Sequence, residues 1–324
     1  MRSVRLLGLV VLLSAVSLRA GPPSLISLTL ATVPAGLSVS GGGSQGTSPL
    51  QITVAAGTTI TISVNENEYS DCTVRNHFVS WSDSGALSHS ITVPGSNATI
   101  TATFQTQYRL DTDVNPVGQG TVTPSPTSLD GFYDANTQVT LTAVGNSAYS
   151  FLAWTGDDTS STNPLTVTMT APFMVTASLG FPTTIDTSPT GLQINLDSVP
   201  YTAPKMVTFA PNSTHTIAVA SLQDASANAR YRFNSWSDSG AASHSITATS
   251  GSTYTANFVP QFLLTAGVQP LGSGAVTVTP PSVDGFYDLG TSVQLTPIPN
   301  YLYRLTAWLG DASGSLLVSR SGRV

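Results

Sequence analysis

The chain has 324 residues, with 11 Lys and Arg against 17 Asp and Glu, a formal balance of −6, and only 9% of it is charged. Without clustered positive charge, phosphate backbones are excluded as a main target, and nucleic acid with them. A hydrophobic share of 40% excludes a disordered chain, and the single cysteine, Cys72, excludes an intrachain disulfide.

The chain opens with Arg2 and Arg5, an apolar run from Leu6 to Val16 and a short polar stretch ending near Ala20. These are the three zones of a secretory signal. The apolar run falls short of the roughly 20 residues that cross a bilayer. Export and cleavage on either side of Leu18 are expected, and no second long apolar segment follows, so no integral membrane protein is expected. Loss of residues 1–20 removes three Arg and no acid and moves the balance to −9.

Beyond residue 25 apolar and polar residues alternate, as in Thr59-Ile-Thr-Ile-Ser-Val64, Val139-Thr-Leu-Thr-Ala143 and Leu165-Thr-Val-Thr-Met169. Period-two patterning predicts strands with one buried face. The Gly, Pro, Asn and Asp clusters between them supply the turns. The one helix candidate, Ser221 to Arg230, lacks a long apolar stripe, so the expected class is all-β.

The chain is also written twice. NHFVSWSDSG at 76–85 returns as YRFNSWSDSG, and DGFYD occurs at 130–134 and 284–288; Trp236 follows Trp81 by 155 positions, and Trp308 follows Trp154 by 154. Duplication points to tandem units. Two types alternate after the signal at 1–20: long modules at 25–106 and 181–260, and short modules at 107–180 and 261–324. Four small β-rich modules with hardly any linker are expected. Residues 312–324 offer no counterpart of the strand Phe173 to Leu179, so the last module reads as cut short, as in a fragment or a frameshifted chain.

Four segments, Phe78-x-x-Trp81, Phe151-x-x-Trp154, Phe233-x-x-Trp236 and Leu305-x-x-Trp308, place large apolar groups three apart, on opposite faces of a regular strand. Either both faces are covered or a β-bulge returns the Trp to the Phe face. The four Trp residues, with Phe78, Phe151, Phe233 and the strand-closing Phe104 and Phe258, are the expected core anchors.

Residues 118–179, with Gly-x-Gly-Thr-Val, DGFYDANTQVTLTA, YSFLAWTGDDTSSTNPLTVTMT and FMVTASL, resemble the bacterial repeat domain described as the divergent internalin-type B-repeat. The second short module resembles it as far as Asp311. The long modules, with Pro-x-Gly-Leu and WSDSGAxSHSIT, are similar to repeats that accompany it, and their first half resembles the PEGA-type surface repeat. The resemblance implies a secreted or cell-surface spacer or adhesion unit and names neither ligand nor catalytic residue.

Four constellations invite chemistry. Gly42-Gly-Ser44-Gln-Gly46 has the spacing of a hydrolase nucleophile, but it lies in a Gly-Ser loop between strands rather than on a strand-to-helix elbow. Asp83 with His89, and Asp238 with His244, suggest a metal or a general base. A zinc site needs three or four ligands, and a turn capped by Asp explains the pair. Asp130, Asp134 and Asp157, with Asp284, Asp288 and Asp311, suggest calcium, but their spacing is no contiguous calcium loop. Phe132, Tyr133, Tyr149 and Trp154, with Phe286, Tyr287, Tyr301, Tyr303 and Trp308 as the second copy, offer a sugar-stacking face if exposed. The expected protein is a non-enzymatic spacer or adhesion stalk with no cofactor, metal or catalytic residue. A carbohydrate- or peptide-binding protein and the non-catalytic part of a longer extracellular enzyme are the alternatives, with a surface glycan or protein as partner.

Overall fold

The computed structural model describes residues 21, 23–311 and 320–323. Among them the regular structure is all strand, arranged in several sheets. The signal-like segment 1–20 lies outside the described residues. Ser221 to Arg230 falls in a hairpin, its strands Leu222–Ser226 and Ala229–Trp236 paired antiparallel. No helix among the described residues is long and apolar enough to cross a membrane.

Two compact units are present, Met1–Asp111 with Pro126–Val139 and Thr166–Met174, and Thr112–Ser125 with Thr140–Leu165 and Val175–Val324. In the first, the strand Leu25–Val33 buries alternate residues, Ile26, Leu28 and Leu30, because its side chains point to opposite faces in turn. It pairs antiparallel with Leu50–Ala55 and parallel with residues 98–103, and that last strand pairs antiparallel with Val74–Trp81. A second sheet runs in the order Ser44–Thr47, Ser38–Gly41, Thr59–Ser63, Ser88–Thr92. Leu28, Leu30, Ile52, Trp81, Ala102 and Phe104 from the first sheet meet Val39, Ile62 and Ile91 from the second in one core.

The second unit repeats this plan. Residues 183–188 lie parallel to 252–257, Ala229–Trp236 pairs antiparallel with Ser252–Leu263, and the other sheet runs Val199–Thr202, Gln193–Leu196, Thr214–Ala218, Ser243–Thr247. Ile185, Ile194, Ile217, Trp236, Ala256 and Phe258 fill its core. The same unit holds the hairpin of Gly120–Ser125 with residues 140–145 and its later counterpart, Gly274–Thr279 with Ser292–Pro299.

The joints between long and short modules fall inside unbroken strands, Ala98–Asn115, Phe173–Ser188 and Ser252–Leu263. Backbone pairing therefore continues where a linker would sit. Val74 and Arg75 of the first long module pair with Tyr108 and Gln107 beyond its joint. At the second joint Gly180 leaves no room for a Cβ, which would run into the Phe209 carbonyl.

Candidate functional site

Three of the four Trp segments share one geometry. The ladder shifts between Phe78 and Ser80, between Phe151 and Ala153, and between Phe233 and Ser235, one extra residue each time. The bulge resolves the three-residue spacing: it turns the strand so that Trp and Phe share a face, with ring centroids 6.4, 5.4 and 6.4 Å apart. Trp81, Trp154 and Trp236 are 2%, 1% and 2% exposed, Phe104 and Phe258 are buried, and Phe78, Phe151 and Phe233 are half-buried. Each ring N–H finds a carbonyl, Leu87 at 3.3 Å, Thr162 at 3.1 Å and Ala242 at 3.4 Å, as a buried indole requires.

The fourth segment differs. Residues 303–307 form no strand, and Leu305 and Trp308 are half-buried. In the first short module Trp154 lies opposite Ala177 on the strand Phe173–Ser188. Among the described residues no strand takes that place beside Trp308, and a cleft of about 610 Å³ opens there, lined by Val276, Pro297, Leu305 and Trp308.

The Trp carbonyl closes the turn that carries the Asp and His pair. Ser84 takes φ of 65° and its N–H bonds to the Trp81 carbonyl; the Gly85 N–H donates to Asp83 Oδ1 at 3.1 Å. His89 lies edge-on to Trp81, its Nδ1 2.7 Å from the Ala86 carbonyl and its Nε2 3.0 Å from Asp83 Oδ2. A Cβ at residue 85 would enter the His89 ring, so the glycine is required. The second copy matches, with His244 2.8 Å from the Ala241 carbonyl and 2.9 Å from Asp238 Oδ2. Burial works against the Asp83 and Asp238 carboxylates, but the bonds from His and Gly and the nearby His charge prevail and lower both pKa values. These pairs lock turns.

The acids of DGFYD are likewise committed. Asp130 bonds to Arg75 at 2.6 Å and to Ser128 and the Phe132 N–H, while the Arg75 guanidinium lies 4.1 Å over the Phe132 ring and donates to Gln107 at 2.6 Å. In the second copy Arg230 bonds to Asp284 and Gln261 and lies 4.0 Å over Phe286, and Arg232 holds Asp288. Asp134 accepts from Gln107. The Arg230 bond, with the Phe286 N–H, lowers the Asp284 pKa, and the Arg232 bond lowers that of Asp288. No group of three or more metal-ligating side chains occurs among the described residues. Tyr133 and Tyr287 are buried, their hydroxyls donating to the carbonyls of Pro126 and Pro280, and Tyr149 packs on Phe181. The candidate stacking face is thus committed to internal contacts, apart from the exposed Tyr301 and Tyr303. Ser44 lies in a strand of the hairpin Ser38–Thr47.

One cluster escaped sequence reasoning. In the second long module Ser213 Oγ is 2.8 Å from His215 Nε2, and His215 Nδ1 is 2.7 Å from Asp197 Oδ2. The signal lay in comparing the long modules position by position, since Thr58, Ile60 and Gly42 stand there in the first. The Arg75 and Arg230 clasps were missed for a different reason: their partners lie 54 or more residues away in sequence in the DGFYD turns.

A search of curated proteins finds no match to this chain. Residues 110–179 and 264–323 match the family described as the Divergent InlB B-repeat domain. The match falls on the two short modules, whose DGFYD turns are clasped by the equivalent arginines Arg75 and Arg230.

Proposed function

We propose that the chain is an exported bacterial surface protein whose modules act as a spacer or adhesion stalk. One observation carries this reading: the three bulged Trp segments, the two Asp and His pairs and the two Arg clasps are all used in holding a module or a joint together. The bulged Trp segments fill cores, the Asp and His pairs close turns, and the Arg clasps tie the short module to the strand before it. Joints inside continuous strands favour reach over flexing. The repeated parts supply reach and presentation rather than chemistry.

The test joins location with binding. Brief protease treatment of intact cells should remove the chain, and a glycan and host-matrix panel, run with calcium and with chelator, should show no saturable binding by the repeated modules. Protection from protease on intact cells would sink the surface reading. Saturable glycan binding lost on changing Tyr301 and Tyr303 would favour sugar recognition, because these rings are exposed.

A further inference from the structure

We propose that Ser213, His215 and Asp197 form a nucleophilic triad on the second long module, and that Ser213 accepts an acyl group from activated esters. The inference stands apart from the spacer reading, since it rests on what the duplication did not copy. At the corresponding places the first long module carries Thr58, Ile60 and Gly42, with no imidazole and no carboxylate. The first module already has a hydroxyl there, Thr58, and the changes at the other two places add a base and an orienting acid beside it.

The geometry suits those roles. Nδ1 of His215 faces a carboxylate, so it carries the proton, and Nε2 is left as an acceptor 2.8 Å from the Ser213 hydroxyl. His89 and His244 differ here, because both their nitrogens face acceptors. The His215 ring is stacked on the buried Phe209, centroids 3.7 Å apart and planes 15° from parallel, which fixes its orientation. Asp197 is fixed in turn: its Oδ1 accepts the Thr216 N–H at 2.9 Å, and the His215 bond, then the Thr216 bond, hold its pKa below the ordinary value. Its backbone adopts φ of 50° and Ser198 one of 70°, where the first module places Gly42 and Gly43. Asp197 and Ser198 are the central residues of the two-residue turn that joins Gln193–Leu196 to Val199–Thr202, where the hairpin requires positive φ.

In the reaction Ser213 Oγ attacks the ester carbonyl carbon as Nε2 takes the hydroxyl proton. The bond from that carbon to the leaving oxygen breaks, and the leaving group departs with the proton from Nε2. Water then attacks the acyl-serine by the same route, releasing the acid and restoring the hydroxyl. The overall change is ester plus water to acid plus alcohol. The Ala210 carbonyl at 2.7 Å competes with Nε2 for the single Ser213 hydroxyl proton, so attack requires the hydroxyl to turn to Nε2. Neighbouring N–H groups are engaged, Asn212 with Ala248 and Ser213 with Ala210. No oxyanion hole is preformed, a lack worth about 10²–10³ in rate, so the donor must carry a good leaving group. His215 and Asp197 side chains are 21% and 48% exposed, so acyl length is weakly selected.

The test is p-nitrophenyl acetate with the full chain, following nitrophenolate release and locating acetyl groups by peptide mass. Acetylation should concentrate on the peptide bearing Ser213 and disappear in Ser213→Ala. His215→Gln should slow it by about 100-fold, and the isosteric Asp197→Asn at least about tenfold. Lys205 and Cys72 react with this reagent in every variant and set the background. Should His215→Gln unfold, Asp197→Asn and Ser213→Thr, which installs the residue of the first module, decide. Equal acetylation of Thr58 and Ser213, or Ser213 labelling unchanged by Asp197→Asn in a folded chain, overturns the proposal. So does nitrophenolate release in excess of the Lys205 and Cys72 background that is unchanged in Ser213→Ala.

Discussion

Trp81 lies directly across the ladder from Ala102, and its counterparts Trp154 and Trp236 lie across from Ala177 and Ala256. All three alanines are fully buried. The smallest apolar side chain on one strand thus makes room for the largest on its neighbour, after a bulge has turned the indole inward. Packing at interior density leaves no slack at such a site.

Ala102→Leu should therefore overpack the first long module and destabilise it by about 1–3 kcal/mol, and Trp81→Ala should cost about 3–5 kcal/mol through the cavity it leaves. Urea unfolding followed by fluorescence of the remaining Trp residues reads both. A loss below about 0.5 kcal/mol for either change would mean that Trp81 is no anchor.

Gly85 and His89 should be strongly coupled. Gly85→Ala drives a methyl into the imidazole, and about 1–3 kcal/mol of stability should be lost. His89→Ala alone breaks the bonds to Ala86 and Asp83. In the double variant the methyl has room, so the losses should fall short of additive by at least about 0.5 kcal/mol. Simple additivity in denaturation midpoints would remove the steric account.

Arg75→Ala should loosen the DGFYD turn. It removes a guanidinium held by Asp130 and Gln107 and stacked on Phe132. Asp130 is half exposed, so the ion pair itself contributes little; the stacking and the bond to Gln107 set the loss at about 2 kcal/mol. Faster amide exchange at Phe132 to Asp134 than in the unaltered chain is the expected sign, and unchanged exchange contradicts the clasp.

Acid should weaken the chain through its turns. Asp83, Asp197 and Asp238 have pKa values held below the ordinary carboxylate value by their hydrogen bonds to His and to backbone N–H groups. A carboxylate with a lowered folded pKa contributes stability that is fully present above its unfolded pKa and is lost as pH falls through the folded one. Urea midpoints should hold steady through these groups above about pH 5 and fall below about pH 4. Asp83→Asn with Asp238→Asn should flatten that fall, and an unaltered slope would show that these bonds contribute nothing.

The strands, the turns and the duplication were legible in the residues. Alternation in Leu165-Thr-Val-Thr and DGFYD between strands act over a few residues, and local signals survive without knowledge of the rest of the chain. The three-residue spacing of Phe78 and Trp81 left two solutions open, because a bulge shows only in how a strand pairs with its partner. The fourth such segment, at Leu305 and Trp308, reads like the others, but residues 303–307 form no strand and Trp308 is half-buried.

From its residues alone this protein is determined as an all-β tandem array with two alternating module types, since period-two burial and turn chemistry are written into neighbouring positions. Only the tertiary structure decided which side chains meet across the sheets. Arg230 reaches Asp284 across 54 residues and Asp197 reaches His215 across 18. Both meetings depend on strand register, which the combined packing of the two sheets sets and no single segment contains.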